Sequence, residues 1–338
     1  MSSVLLAGLG EVGVRAARQL LDTDGIDRLL VADRHESHAR ETARALHDGA
    51  EAIELKPDSA LPEGIDAIAC AVPHDADRWI VNASIERGIA VASVVDSSSS
   101  PDDAEATAAR ASGTRVVGGC GLSPGLADVL ARHAASALDS VDEVHVARFG
   151  VAGDACAAAA RAALREPVLE WRDGAFVHER GHSGELIWFP DPVGARECEL
   201  VATGVEQLVA SVPGVRRASI RLGLPRTPRI RLPGTVGLLV RGRQDPGVGW
   251  GAVRAEVWGT KDGARTTVVY GVIERTAVAA GTVLGVTAAW LAGALPALGP
   301  LPEPGVDGLG AVAAPVSFLG ELARRGVKAA AFEGVPVG

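Results

Sequence analysis

The feature that most constrains the fold is a glycine motif near the start of the chain, Gly8-Leu-Gly10-Glu-Val-Gly13. An apolar run, residues 4–8, leads into it, and an amphipathic segment, residues 11–21, begins within it. This strand–turn–helix context is that of a dinucleotide-binding fingerprint. Its glycines give a tight turn, close approach of a pyrophosphate to the backbone and close helix–strand packing. The motif therefore predicts a first βα unit whose helix N-terminus faces phosphate groups.

A carboxylate stands where such a unit needs one for the ribose. Asp33 follows Gly13 by 20 residues, at the end of the second predicted strand, where it can accept hydrogen bonds from ribose hydroxyls. Asp33 would repel a 2′-phosphate, whereas Arg34 could neutralise one, so we expect NAD as the cofactor and keep NADP as the alternative. The predicted cofactor-binding residues are Gly8, Gly10, Glu11, Val12, Gly13, Asp33, Arg34, Ala71, Val72 and Pro73.

The first third of the chain alternates short apolar runs with helical segments. The predicted strands lie at 4–8, 28–33, 52–55, 65–72, 90–95 and 115–117, and the helices between them at 11–21, 38–47, 77–87 and 102–112. This alternation favours a parallel sheet with helices on both faces. The predicted fold class is therefore α/β, with a Rossmann-type doubly wound sheet.

The alternation stops after residue 128. Runs at 252–258 and 266–273 flank Lys261-Asp262-Gly263, which is a hairpin signal. We expect an α+β domain for substrate binding or dimerisation over about 129–275, inserted into a dinucleotide-binding domain of residues 1–128 plus about 276–338. Residues 276–302 carry no charge, and their small side chains favour a buried helix over a transmembrane span.

Composition excludes several classes of partner. The net charge of −9 argues against nucleic acid and against an anionic membrane surface. The sequence 178–182, HERGH, matches the H-E-x-x-H motif of zinc proteases, but the glycines around it disfavour the helix that this motif needs, and we expect no metal. Four widely spaced cysteines argue against a disulfide framework and favour a reducing cytoplasm: Cys70, Cys120, Cys156 and Cys198.

Several segments together resemble the saccharopine dehydrogenase family. They are GLGEVG with VADR, ACAVPH, GGCGLSPGLADVL, EVWGTKDGARTTVVYGVIERT and the tail LPEPGVDGLGAVAAPVSFLGELARRGVK. The resemblance spans nearly the whole chain and is weakest between about 150 and 215. It implies a Rossmann domain interrupted by a substrate domain whose sheet often forms a homodimer. The implied reaction is hydride transfer between a nicotinamide and a carbon bearing an amine or imine, usually in amino acids or polyamines.

The loops after predicted strands four, five and six should meet at the carboxyl edge of the sheet, beside the nicotinamide. These loops supply three candidate catalytic residues, His74, Asp96 and Cys120. Each also has a structural interpretation, since His74 could begin a helix and Asp96 could cap one. Cys120 could be a small packing residue, because no charge partner for a thiolate is visible.

The candidate substrate-binding residues are Ser123, Pro124, Gly125 and Arg221. Ser123 and Pro124 fit the N-cap and first position of a helix whose free amides would hold a substrate carboxylate. An ordinary capped helix start is the alternative. Arg221 resembles an arginine near the family's substrate pocket, where it would pair with a carboxylate, although a surface arginine on a strand fits equally.

Three functions remain open. The first is an NAD(P)-dependent dehydrogenase or reductase of amino acid metabolism that acts on a C–N bond of an amino acid or polyamine-like small molecule. In it a general acid/base handles the amine proton. The second is a carbonyl or alcohol oxidoreductase on the same scaffold. The third is a non-catalytic NAD(P)-binding protein, which the Ala-rich segment 154–167 keeps open.

Overall fold

The structure is a computed structural model. It describes residues 2–47, 49–57, 59–96, 104–179, 183–225 and 249–332. The N-terminal part alternates strands and helices as the sequence predicts: β1 (Ser2–Ala7), α1 (Glu11–Leu21), β2 (Ile26–Asp33), α2 (Glu36–Ala45), β3 (Glu51–Glu54), β4 (Ala67–Cys70), α3 (His74–Arg87), β5 (Ala90–Ser93), α4 (Ala104–Ser112), β6 (Arg115–Gly118) and α5 (Leu126–Ala135).

The middle of the chain is dominated by strands. Its elements are β7 (Ser140–Phe149), α6 (Asp154–Ala163), β8 (Val168–Arg172), β9 (Ala175–Glu179), β10 (Gly184–Trp188), β11 (Ala195–Val201), α7 (Val205–Ser211), β12 (Arg217–Gly223), β13 (Trp250–Lys261) and β14 (Ala264–Arg275). The last elements are α8 (Thr276–Leu291), a 3-10 helix (Pro296–Leu298), β15 (Gly305–Gly308), α9 (Leu309–Val312), α10 (Pro315–Arg324) and β16 (Ala329–Phe332).

Seven parallel strands form the first sheet, in the order β15-β6-β5-β4-β1-β2-β3. Every residue of β4 and β5 is buried, as central strands covered by helices on both faces require. The chain reverses its direction of winding between β1 and β4, which is the switch point where doubly wound sheets bind ligands. The predicted α/β fold class is confirmed.

The second sheet is mixed and has nine strands, in the order β10-β11-β12-β7-β13-β14-β16, with β8 joining β12 to β9. Strands β7 and β12 run parallel, and the other neighbours in that order run antiparallel. The predicted hairpin is confirmed, because β13 and β14 are joined through Asp262 and Gly263, whose positive φ angles (50° and 77°) suit a two-residue turn.

The two faces of the mixed sheet carry different cores. Val144 and Val146 of β7 belong to the large core that also includes α5 and α8. Phe149 of β7 belongs instead to a smaller cluster on the other face. Trp188 of β10 meets Phe332 of β16 edge to face at 6.2 Å, so the two ends of the sheet approach each other and the sheet is curled.

The segment after β14 is shared between the two sheets. Helix α8 packs on α1, and a β-carbon on Gly281 would lie 2.8 Å from the Val12 carbonyl oxygen. Strand β15 extends the parallel sheet, whereas β16 extends the mixed one. The division of the chain into domains at residues 128 and 276 stays a prediction.

The uncharged segment 276–302 forms a buried helix as expected, but a shorter one. Helix α8 ends at Leu291 because Gly293 adopts a positive φ of 80° and a 3-10 helix follows at Pro296. Over the described ranges, no helix combines the length and apolar composition needed to span a bilayer. The H-E-x-x-H sequence begins in a strand, since His178 and Glu179 end β9, and His182 lies outside the described residues.

Candidate dinucleotide and substrate site

The three glycines of the first turn have different surroundings. A β-carbon on Gly13 would lie 1.9 Å from the Gly8 carbonyl oxygen, and one on Gly8, whose φ is 91°, would lie 2.5 Å from that of Ala71. Around Gly10, in contrast, no atom of the described residues beyond its own chain neighbours lies within 4 Å of the same position. Two glycines are thus needed for close packing and the middle one borders open space, which is the arrangement a pyrophosphate requires.

The N-terminus of α1 completes this cradle. Its first backbone N–H groups have no carbonyl within the helix to bind, and they lie beside the open space at Gly10. Glu11 is exposed and Val12 half-buried at this end. A β-carbon on Gly153, just before α6, would lie 3.4 Å from Cγ of Glu11, so a loop of the mixed-sheet region borders the same space. The residues present therefore fit a dinucleotide between the two regions.

Asp33 lies at the carboxyl end of β2, where a ribose would be held. Its Oδ1 accepts a hydrogen bond from the His35 backbone N–H at 3.0 Å, and its Oδ2 lies 3.1 Å from Nδ1 of His38. The side chain keeps 15% of its surface exposed. Arg34 is exposed, with no ion pair to a described residue. The choice between NAD and NADP stays a prediction.

The predicted meeting of the loops after β4, β5 and β6 is found. The Gly119 N–H donates to the Val95 carbonyl at 2.7 Å, and the Cys120 N–H donates to the Ser93 carbonyl at 2.7 Å. Asp96 follows directly in the β5 loop. Ala71 and Val72 contact Gly8, and Pro73 caps α3. The nucleotide turn and the predicted reaction loops therefore form one continuous edge.

The predicted start of α5 is wrong. Ser123 and Pro124 are not its N-cap and first residue, because the helix begins at Leu126 after Gly125. The Ser123–Pro124 peptide is cis, and Gly125 has a φ of 120°. The Gly125 N–H donates to Oδ2 of Asp128 at 2.6 Å, which places the cap two residues later than the sequence suggested.

The expected free amides at this helix start are also absent among the described residues. The Leu126 N–H donates to the Gly121 carbonyl at 3.0 Å, and the Ala127 N–H donates to the Leu122 carbonyl at 3.1 Å. The tight turn itself supplies these acceptors, so the helix end offers no such amide to a substrate carboxylate. Gly125 is a packing residue, because a β-carbon there would lie 2.0 Å from the Gly119 carbonyl oxygen.

Asp96 has the electrostatics of a group that exchanges protons near neutral pH. Burial raises the pKa of its carboxyl to about 6, and the Gly204 backbone N–H opposes that rise. Glu206 raises the pKa further, while Arg148 lowers it. The Asp96 Oδ1 atom is buried and has no hydrogen-bond partner within the described part of the chain. A carboxyl of this kind suits a general acid/base.

The sequence analysis did not identify a second buried carboxyl, that of Asp128. Burial raises its pKa to about 7, the Gly125 N–H opposes the rise, and the charge of Asp96 adds to it. Its position three residues after the cap is typical of a capping box, but that signal is visible only once Gly125 is known to be the cap.

Gln207 of α7 was missed as well. Only 3% of its surface is exposed, and both amide atoms lack a partner among the described residues. Gln207 lies between the ends of β6 and β15. A β-carbon on Gly119, which follows β6, would lie 2.3 Å from Oε1 of Gln207, and a β-carbon on Gly308, which ends β15, would lie 3.1 Å from its Cδ. Two buried hydroxyl oxygens share this lack of a described partner, those of Ser123 and Thr276. Such orphaned polar atoms mark places that a ligand or water completes.

His74 and Cys120 lie in surroundings that argue against catalysis. His74 begins α3, as its structural interpretation predicts, and its side chain is 71% exposed beside Asp75. Cys120 is fully buried, and its thiol donates to the Val117 carbonyl at 3.2 Å. Burial raises the pKa of this thiol to about 12, so it stays protonated at neutral pH. Cys120 therefore acts as a packing residue.

Arg221 does not face the site. Its Nε pairs with Glu185 at 3.0 Å and its Nη1 donates to the Ser183 carbonyl at 2.7 Å. Its neighbours on β12, Ile220 and Leu222, lie in the large core, so the alternation of the strand turns Arg221 to the opposite face. This orientation argues against Arg221 as a substrate contact, and its role in binding stays a prediction.

The fold matches known dehydrogenase structures. Saccharopine dehydrogenase (L-Glu forming) from Saccharomyces cerevisiae superposes with a TM-score of 0.72 and 13% identity, over 98% of this chain and 100% of that one. A probable dehydrogenase from Thermotoga maritima gives a TM-score of 0.50 and 12% identity, over 97% and 98% of the two chains. No family model matches the sequence. The chain therefore has the fold of saccharopine dehydrogenase, which confirms the resemblance at the level of the fold.

Proposed function

We propose that this protein is an NAD-dependent oxidoreductase that acts on a C–N bond of an amino acid or polyamine-like small molecule. The observation that carries the proposal is the open space at Gly10, between the closely packed Gly8 and Gly13, at the switch point of the sheet. The N-terminus of α1 would hold the pyrophosphate and Asp33 the ribose. When bound, the nicotinamide would accept or supply the hydride.

Asp96 is the proposed general acid/base. It follows β5 at the same sheet edge, and burial raises its pKa to about 6, close to the pH at which such a group works best. In the oxidative direction its carboxylate would take a proton from the substrate nitrogen, and in the reductive direction the carboxylic acid would return it. Ser123, whose hydroxyl is buried at the same edge, is retained as a proposed substrate contact.

The test has two stages. The purified protein is titrated with NADH and with NADPH, following energy transfer from its six tryptophans to the nicotinamide. Amines, amino acids and hydroxy acids are then screened at the nicotinamide absorbance. We expect tighter binding of NADH and turnover of an amine that D96N reduces. Turnover of hydroxy acids alone would favour the carbonyl or alcohol reaction, and cofactor binding without any turnover would favour a non-catalytic role.

We also propose that the protein is a homodimer, as the family resemblance implies. The mixed sheet exposes large apolar side chains near one edge, including Leu186 (72% exposed) and Trp188 (58%), and such patches are typical of interfaces. Light scattering coupled to size-exclusion chromatography should give twice the chain mass of 34.6 kDa. A mass of one chain at micromolar concentration would contradict the dimer.

A further inference from the structure

Arg148 breaks the pattern of the strand that carries it. Along β7 the side chains of Val144 and Val146 face the large core, and Arg148 occupies the next position on that same face. In the sheet it lies between Leu222 of β12 and Val253 of β13, both core residues. A guanidinium therefore ends a hydrophobic row, at the end of β7 that leads to the loop of Gly153, which borders Glu11.

No partner within the described residues satisfies this charge. Arg148 forms no ion pair or hydrogen bond with them, and its Nε is buried. Burial lowers the pKa of the guanidinium, and electrostatic interactions with Cys156 and Asp96 oppose this. Other arginines of the mixed sheet do have glutamate partners, for example Arg221 with Glu185.

Arg148 is half-buried, and a guanidinium whose Nε is withdrawn from water with no counter-charge in contact is unfavourable, so an anion is the natural ligand for it. The phosphates of a dinucleotide belong at Gly10 and α1, and the nicotinamide ring itself carries no anionic group. Among the described residues no carboxylate contacts this guanidinium, which leaves the substrate as the candidate source of the anion. A carboxylate suits the site, because guanidinium and carboxylate form paired, charge-assisted hydrogen bonds.

We propose that Arg148 binds a carboxylate of the substrate, which makes the substrate an amino acid rather than a polyamine. This inference rests on the proposed function. Arg148 and Asp96 are near enough for each charge to act on the other, so the carboxylate and the reacting nitrogen would lie close together, as in an α-amino acid. A polyamine carries only positive charges, which Arg148 would repel.

The test is calorimetric titration of the NADH-loaded protein with oxalate and succinate, with succinamide as the neutral match. Four proteins are compared: wild type, R148Q, R148K and R161Q. Arg161 is an exposed arginine on α6 and serves as the control for loss of a positive charge. We expect R148Q to weaken carboxylate binding at least about tenfold. The carboxylate affinity of R148K should lie between those of wild type and R148Q, and the affinity of R161Q should equal that of wild type.

Equal carboxylate affinity in wild type and R148Q would overturn the inference. The inference would also be overturned if the wild-type protein bound spermidine and bound neither oxalate nor succinate. NADH affinity is measured first on each variant and should not change, and thermal melting confirms that each one folds. The carboxylate titration is repeated without NADH. If NADH fails to bind wild type, the proposed function fails, while the comparison of wild type with R148Q still decides the role of Arg148.

Discussion

The chain contains two glycine-rich turns that lead from a strand into a helix, and they have opposite structures. The first, residues 8–13, leaves open space at Gly10 and the first amides of α1 beside it. The second, residues 118–125, is filled by its own backbone. The carbonyls of Gly121 and Leu122 accept from the first amides of α5, and Gly125 packs against Gly119.

This difference shows that glycine content alone does not identify a ligand-binding turn. What matters is whether carbonyls of the chain already accept hydrogen bonds from the backbone N–H groups at the helix start. In the first turn those amides are left for a ligand. In the second turn they are used internally, and the turn instead positions the Asp128 carboxyl and makes room for Gln207.

The largest expected change in stability comes from a substitution in the second turn. G125A should destabilise the protein by several kcal/mol or prevent folding, because the new β-carbon would lie 2.0 Å from a backbone oxygen at a φ of 120°. The matched control is G121A, whose β-carbon would have its nearest contact at 3.4 Å. Urea unfolding compares the two variants. Equal stability of G125A and G121A would contradict the closed structure of this turn.

The next largest expected change in stability comes from replacing Asp128, and this change depends on pH. Its folded pKa of about 7 exceeds the ordinary value of 3.8, so this group lowers stability as the pH rises from about 4 through 7. D128N removes the ionisation, and its amide oxygen can still accept the Gly125 N–H. We expect D128N to be more stable than wild type at pH 8 by about 2–4 kcal/mol, with little difference at pH 4.

Denaturant unfolding across pH 4 to 8 checks this expectation, with D262N in the exposed hairpin turn as the control. Parallel stability curves for wild type and D128N would show that Asp128 ionises freely in the folded protein. They would contradict the closed turn.

A smaller effect is expected at Gln207. Its amide atoms have no partner in the described part of the chain, and it is wedged against the second turn. Q207M keeps the length of the side chain and removes two unsatisfied polar atoms, so it should stabilise the free protein by about 1 kcal/mol. Thermal and urea unfolding measure the change. A clear loss of stability would mean that the amide has partners in solution, such as bound water.

The sequence predicted the parts that depend on local pattern. The glycine motif, Asp33 and the strand–helix alternation predicted the parallel sheet, and Asp262-Gly263 predicted the hairpin. These signals are short-range, because they follow from backbone geometry and from the periodicity of apolar residues. The resemblance to saccharopine dehydrogenase added the correct overall fold.

The errors depend on contacts that the pattern of residue types does not show. Helix α5 begins at Leu126 because carbonyls of the preceding turn accept hydrogen bonds from its first N–H groups. The residue types of Ser123-Pro124 are typical of an N-cap and first helical position, which the chain does not form there. Arg221 and Arg148 lie on neighbouring strands, and the parallel register between β12 and β7 decides which face each one takes. Reading the alternation of Val144 and Val146 onward would have placed Arg148 on the core-facing side of β7, which is the one sequence signal that was available and unused.

The most direct test of the account is the affinity of G10A for NADH. Beyond its chain neighbours, the β-carbon of an alanine at Gly10 meets no described atom within 4 Å, so we expect this variant to fold with less than about 1 kcal/mol lost. The added methyl group should weaken NADH binding at least about tenfold, because it fills the space reserved for the pyrophosphate. G320A, on α10 with the same open surroundings, is the control. If G10A and G320A bind NADH as wild type does, or if wild type binds none, the first turn is not a nucleotide cradle.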